Sequence, residues 1–170
     1  MGFSYTRINN PTVESFEKRV TMLEDGIGSV ACASGMAALT NAFLNILQAG
    51  DEIVAACGLY GGTVELFDDL KPFGISVKYV SENKPEAFEA EITEKTRLIF
   101  AETIGNPKLD VTDIQAVAEV AHKHDVPLIV DNTVATPYLI QPLKLGADIV
   151  VHSSSKYING SSDAISGILV

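Results

Sequence analysis

Between residues 10 and 26 the apolar positions follow a helical spacing, with Val13, Phe16, Val20 and Leu23 falling three, four and three residues apart. Asn10 stands where a side chain accepts the first free N–H groups of a helix. Pro11 presets the first turn, and Asp25-Gly26 closes the segment. This pattern predicts an amphipathic helix. Beyond it, short runs rich in Val, Ile and Ala alternate with helical patterns: SVACA with MAALTNAFLNIL, EIVAA with TVELFDDLKPF, ISVKYV with PEAFEAEI. The second half continues with RLIFAET, a GNPKLD loop, the helix TDIQAVAEVAHKH, the strand PLIVD, a short PLKLG segment and the strand ADIVVHSS. Strands separated by helices make βαβ units, so the expected fold is α/β, a mainly parallel (mixed) sheet with helices on both faces. No internal repeat or linker divides residues 1–170.

The last six residues, ISGILV, have the pattern of one more buried strand, and the chain stops inside it. A domain seldom ends within its own core, so further residues are expected to complete the sheet. Acidic residues outnumber basic ones 22 to 12, for a net charge of −10, which argues against nucleic-acid partners and anionic membrane surfaces. The N-terminus has no leader pattern and no apolar run approaches the roughly 18 residues of a membrane span. Cys32 and Cys57 form no metal or redox motif and are expected as reduced, buried thiols of a cytoplasmic protein. His122, His124 and His152 make no metal-ligand pattern, and the first two are expected to cap the end of their helix.

In a sheet of this kind the ligand site lies beyond the carboxyl ends of the strands. The residues that follow the strands carry chemistry. Ser34-Gly35-Met36 marks a strand-to-helix turn, either an ordinary turn or a cradle whose free N–H groups hold a phosphate. Lys156 follows His152-Ser153-Ser154-Ser155 at the end of a strand expected to be buried, where an amine is either an ordinary surface group or suited to imine formation. Asp131 ends the run VPLIV and serves either as a turn cap or as the partner of a cofactor ring nitrogen. Tyr60, between glycines in GLYGGT, either decorates a flexible loop or stacks on a planar cofactor with its hydroxyl as acid or base. A lysine, an aspartate and a phosphate cradle are what pyridoxal phosphate requires.

Six motifs in order then carry a resemblance: YTRINNPT at 5–12, ASGMAA at 33–38, LYGGT at 59–63, ETIGNP at 102–107, VDNTVATPYL at 130–139 and HSSSKYINGSSD at 152–163. The chain resembles the pyridoxal-phosphate-dependent enzymes of cysteine and methionine metabolism, the transsulfuration group of O-acetylhomoserine sulfhydrylase, cystathionine γ-synthase and the γ-lyases. The resemblance implies a fold-type I enzyme with pyridoxal 5'-phosphate bound covalently to Lys156, Asp131 at the ring nitrogen, and Tyr60 stacked on the ring and assisting the γ-leaving group. It further implies that the Ser34-Gly35-Met36 turn, with Ser153 and Ser155, holds the phosphate and that Asn106 lies near the phenolic oxygen. Tyr5 and Arg7 would reach the cofactor of a neighbouring subunit in a homodimer or homotetramer. By the same resemblance residues 1–170 are part of the large cofactor-binding domain, with an N-terminal segment and a C-terminal domain outside it.

The activity implied is γ-replacement on O-acetylhomoserine with sulfide or a thiol. The alternatives are cystathionine or methionine γ-lyase, cystathionine γ-synthase, and an inactive fragment. ETIGNPKLD is closer to the sulfhydrylases, and KYINGSSD to the synthase and lyase form. Gly62 stands where methionine γ-lyases usually carry Cys, Ser155 where most members carry Thr, and Ser161 where many carry His.

Overall fold

The computed structural model describes residues 2–170. Seven strands form one sheet in the order β1-β7-β6-β5-β4-β2-β3. In chain order these are β1 (Val30–Cys32), β2 (Glu52–Ala55), β3 (Ser76–Tyr79), β4 (Thr96–Glu102), β5 (Leu128–Asp131), β6 (Ile149–His152) and β7 (Gly167–Leu169). The stretch β3-β2-β4-β5-β6 is parallel, while β7 runs antiparallel to both β6 and β1. Among the described residues the α-helices are α1 (Pro11–Glu24), α2 (Gly35–Ile46), α3 (Gly61–Leu70), α4 (Pro85–Glu91), α5 (Ile114–Lys123) and the short α6 (Thr136–Leu139).

In β4 the consecutive residues Leu98, Ile99, Phe100 and Ala101 are all fully buried, so both faces of the central sheet are covered. Helices α2 and α3 pack on each other, and their Phe43 and Phe67 meet Phe100 of β4 edge-on, with ring centroids 5.3 and 5.7 Å away. Helices α4 and α5 also pack together, α4 against β2 and α5 against β5. The mixed α/β sheet expected from the alternation of runs is the observed fold.

At the N-terminus the helix forms as predicted. Asn10 Oδ1 accepts from the N–H groups of Thr12 and Val13, and Asp25 ends the helix in the left-handed conformation at φ 60°. Its apolar stripe is only partly used, however. Val20 is buried, but Val13 and Leu23 are exposed, and Leu23 lines an open groove of about 670 Å³ with Phe3, Pro11 and Met22. The run SVACA is not a core strand either: β1 is a three-residue edge strand and Val30 is 53% exposed. For that reason Cys32 is half-buried, a correction to the expectation of a core thiol. Cys57 is half-buried too, because it lies past the end of β2, with its Sγ 3.3 Å from Asn83 Oδ1; both thiols are free. Among the described residues no helix is long and apolar enough to cross a membrane.

Candidate active site

The chain order reverses between β2 and β4: β3 adds on one side of β2 and β4 on the other. In sheets of this kind the ligand crevice lies at the carboxyl ends of the strands at such a point. Tyr60 follows β2 and Glu102 ends β4, one on each side of that switch point. Tyr60 is the N-cap residue of α3, and its backbone N–H donates to Glu102 Oε1 at 2.7 Å. The glycines after it are helical rather than loop residues. Tyr60 is 48% exposed and its ring lies back over Gly62; a Cβ at position 62 would fall 2.5 Å from Tyr60 Cε1. Glycine is thus the residue that admits this ring position.

Asp131 is the last residue of β5, and its Oδ1 accepts from both Thr133 N–H (2.9 Å) and Thr133 Oγ1 (2.5 Å). Thr133 Oγ1 in turn accepts from the N–H of Ser153, so the ends of β5 and β6 are tied through one hydroxyl. Burial pushes the Asp131 carboxyl above its ordinary range, against the opposing pull of Thr133 and of His152. Glu102, 6% exposed, is pushed up to about 7, first by burial and also by the charge of Asp131. The N–H groups of Tyr60 and Asn106 pull it the other way.

The start of α2 faces the end of β6. Ser34 Oγ accepts from Ala37 N–H, and helix geometry leaves the N–H groups of Gly35 and Met36 without partners inside the helix. A Cβ at position 35 would lie 2.5 Å from Ser153 Cβ, so only glycine lets the helix end sit against that serine. Ser155 donates its hydroxyl to Ser166 O and accepts from Ser166 N–H, which engages it in holding the approach to β7. Lys156 is exposed rather than buried as its place behind β6 suggests, because the chain turns out of the sheet after His152. Its amine makes no ion pair among the described residues.

Asn106 is exposed on the loop after β4 and precedes a cis bond to Pro107. Tyr5 and Arg7 lie together ahead of α1, the guanidinium 5.4 Å from the ring centroid. Both are exposed, and no hydrogen bond or ion pair among the described residues joins them to the strand-end cluster. His122 and His124 do not cap α5 with their rings. They bond carboxylates instead, Asp148 Oδ2 at 3.0 Å and Glu89 Oε1 at 3.1 Å, because those groups lie beside the helix end.

Sequence reasoning passed over two sets of residues. Glu102 appears only as the first letter of a motif, although a carboxylate ending the apolar run LIFA is itself a signal. The other set is a fully buried cluster on the opposite face of the sheet. Glu24 Oε1 accepts from His152 Nε2 at 2.6 Å and from Asn132 Nδ2 at 3.0 Å, binding α1 to the ends of β5 and β6. The partners lie 108 and 128 residues apart, so no local pattern announces them.

A family model for Cys/Met metabolism PLP-dependent enzymes matches residues 1–170. The chain belongs to this family. Its members depend on pyridoxal phosphate. Among relatives, the O-acetyl-L-homoserine sulfhydrylase of Leptospira meyeri is 51% identical over 99% of this chain and 38% of its own length. The crystal structure of cystathionine γ-lyase from Lactobacillus plantarum complexed with L-serine superposes with a TM-score of 0.96 at 44% identity, over 100% of this chain and 45% of that one. A Campylobacter jejuni crystal structure containing N'-pyridoxyl-lysine-5'-monophosphate gives 0.94 at 39% identity, over 99% of this chain and 42% of that one. This family chain therefore spans well under half the length of these relatives.

The residues present fit the family's cofactor. Unpartnered N–H groups at a helix start and the Ser153 hydroxyl suit a phosphate, the half-buried Asp131 carboxylate suits a pyridinium, and an exposed amine suits an aldehyde.

Proposed function

We propose that this chain carries the cofactor site of a pyridoxal-phosphate enzyme that replaces the γ-substituent of O-acetylhomoserine with sulfide or a thiol. What carries the reading is the gathering of Lys156, Asp131, Tyr60 and the start of α2 at the carboxyl ends of one sheet. The substrate class is supported by the likeness to the Leptospira sulfhydrylase. In this reading residues 1–170 are part of the large domain of a longer homo-oligomer, and Tyr5 and Arg7 serve a neighbouring subunit.

When bound, pyridoxal phosphate supplies a protonated ring that delocalises the electron pair left at Cα. The N–H groups of Gly35 and Met36 at the Ser34 turn, with Ser153 Oγ, hold the phosphate. Ser155 steadies Ser166 beside them and joins the phosphate only by releasing that contact. Asp131, fixed by Thr133, keeps a proton at the ring nitrogen. Lys156 anchors the cofactor through its amine and then moves protons at Cα. Tyr60 would stack on the ring and deliver a proton to the departing γ-oxygen. Asn106, whose N–H acts on Glu102, would lie near the cofactor's phenolic oxygen.

A second reading, γ-elimination, is supported by the likeness to the Lactobacillus γ-lyase. The two separate by product analysis on the purified full-length protein. With O-acetylhomoserine, the replacement reading expects homocysteine only when sulfide is supplied. Ammonia and a keto acid formed equally well with and without sulfide would overturn it.

A further inference from the structure

A buried carboxyl group, Glu102, and a half-buried one, Asp131, stand side by side where the site is built. Glu102 and Asp131 are register partners across the parallel strands β4 and β5, so both project from the same face, with the strands about 4.8 Å apart. Glu102 receives the Tyr60 N–H, and no Lys or Arg pairs with either carboxyl among the described residues. Glu52, also buried, differs: Lys78 lies 3.2 Å from it, and the hydroxyls of Thr93 and Thr96 donate to it. Two carboxylates on one face of an interior, without a cation between them, do not both ionise at little cost.

We infer that Glu102 is a positioning residue that shares a proton with Asp131: neutral Glu102 holds Tyr60 in place and leaves the charge on Asp131 for the cofactor's ring nitrogen. The inference rests on the cofactor reading above for the role of Asp131. Asymmetry within the pair favours this division. Asp131 has two Thr133 donors on one oxygen and the pull of His152 from β6. Glu102 has only backbone donors, from Tyr60 at the start of α3 and Asn106 on the following loop. Its upward displacement, with Asp131 among the causes, agrees. A neutral carboxyl still accepts the Tyr60 N–H through its carbonyl oxygen, so the proton does not release the tyrosine. A cation beside Asp131 reduces the repulsion and lets Glu102 lose its proton at lower pH.

The test is infrared titration of protonated carboxyl groups in the purified full-length protein between pH 5 and 9, values spanning roughly two units either side of neutrality. Wild type is expected to lose one carboxyl band near neutral pH. Glu102→Gln removes that band. Asp131→Asn keeps it but moves its midpoint down by about one unit, tenfold in proton affinity. Adding pyridoxal phosphate moves the wild-type midpoint down as well. A band that persists in Glu102→Gln, or a midpoint unmoved in Asp131→Asn, would overturn the inference; should Glu102→Gln not fold, Asp131→Asn decides alone. Borohydride fixation of the cofactor, run on the same samples, reports on the cofactor reading separately. An adduct on Lys156 with no change in the Asp131→Asn midpoint sinks the proton-sharing idea and leaves the cofactor reading standing.

Discussion

Two carboxylates are buried at the strand ends on opposite faces of the sheet, and their company differs. Glu24 is met by donors from two strands, the His152 imidazole and the Asn132 amide, so it fastens α1 to the sheet. Glu102 is met by backbone N–H groups and by a second carboxyl, so its charge is opposed rather than welcomed. One buried polar group holds the fold together, and the other is the one we propose to be poised for chemistry. The first also explains why α1 stays in place although half its apolar stripe is exposed: a buried polar clamp replaces missing apolar contact.

If that distinction is right, breaking the clamp costs stability above all. Glu24→Ala strands the buried His152 imidazole and leaves the Asn132 amide with only the Ile140 carbonyl as acceptor, and should destabilise the protein by about 3–5 kcal/mol. A denaturant midpoint within error of wild type would show that the clamp bears no load. The opposed carboxyl gives the next effect, which appears with pH. Glu102 binds its proton to about pH 7 in the folded protein against an ordinary 4.5, so between those values the native state holds more protons than the unfolded chain. Stability fully present below about pH 4.5 is therefore lost as pH rises through 7, by roughly 3 kcal/mol from this group. Chemical denaturation across that window should show the decline in wild type and a flatter profile in Glu102→Gln. Equal slopes would contradict it. The smallest effect falls on Tyr60. Gly62→Ala places a methyl group where the Tyr60 ring lies and should lower turnover about 10- to 100-fold with little change in stability. Unchanged turnover would mean that this ring position is not the working one.

How far the sequence reveals such things depends on whether the signal is local. Strands β4, β5 and β6 are plain as continuous apolar runs because they are buried on both faces. The Asn10 cap is plain because it acts on its immediate neighbours, whereas the need for glycine at position 35 comes from Ser153, far along the chain. SVACA carries the same apolar run yet forms an edge, since periodicity does not report how many strands lie alongside. Lys156, Asp131 and Tyr60 stand out by type and by their place after strands. Glu24 does not, because next to Asp25 at a helix end it resembles a solvated acid, and its partners come from the far end of the chain. Glu102 needs the register of β4 on β5 before its neighbour is known.

The central claim is that the strand ends hold pyridoxal phosphate through Lys156. Borohydride reduction of the cofactor-loaded full-length protein, followed by peptide mapping, tests it most directly. A single pyridoxyl adduct on Lys156, absent from Lys156→Ala, is expected. An adduct on another lysine, or none after loading with cofactor, would contradict it.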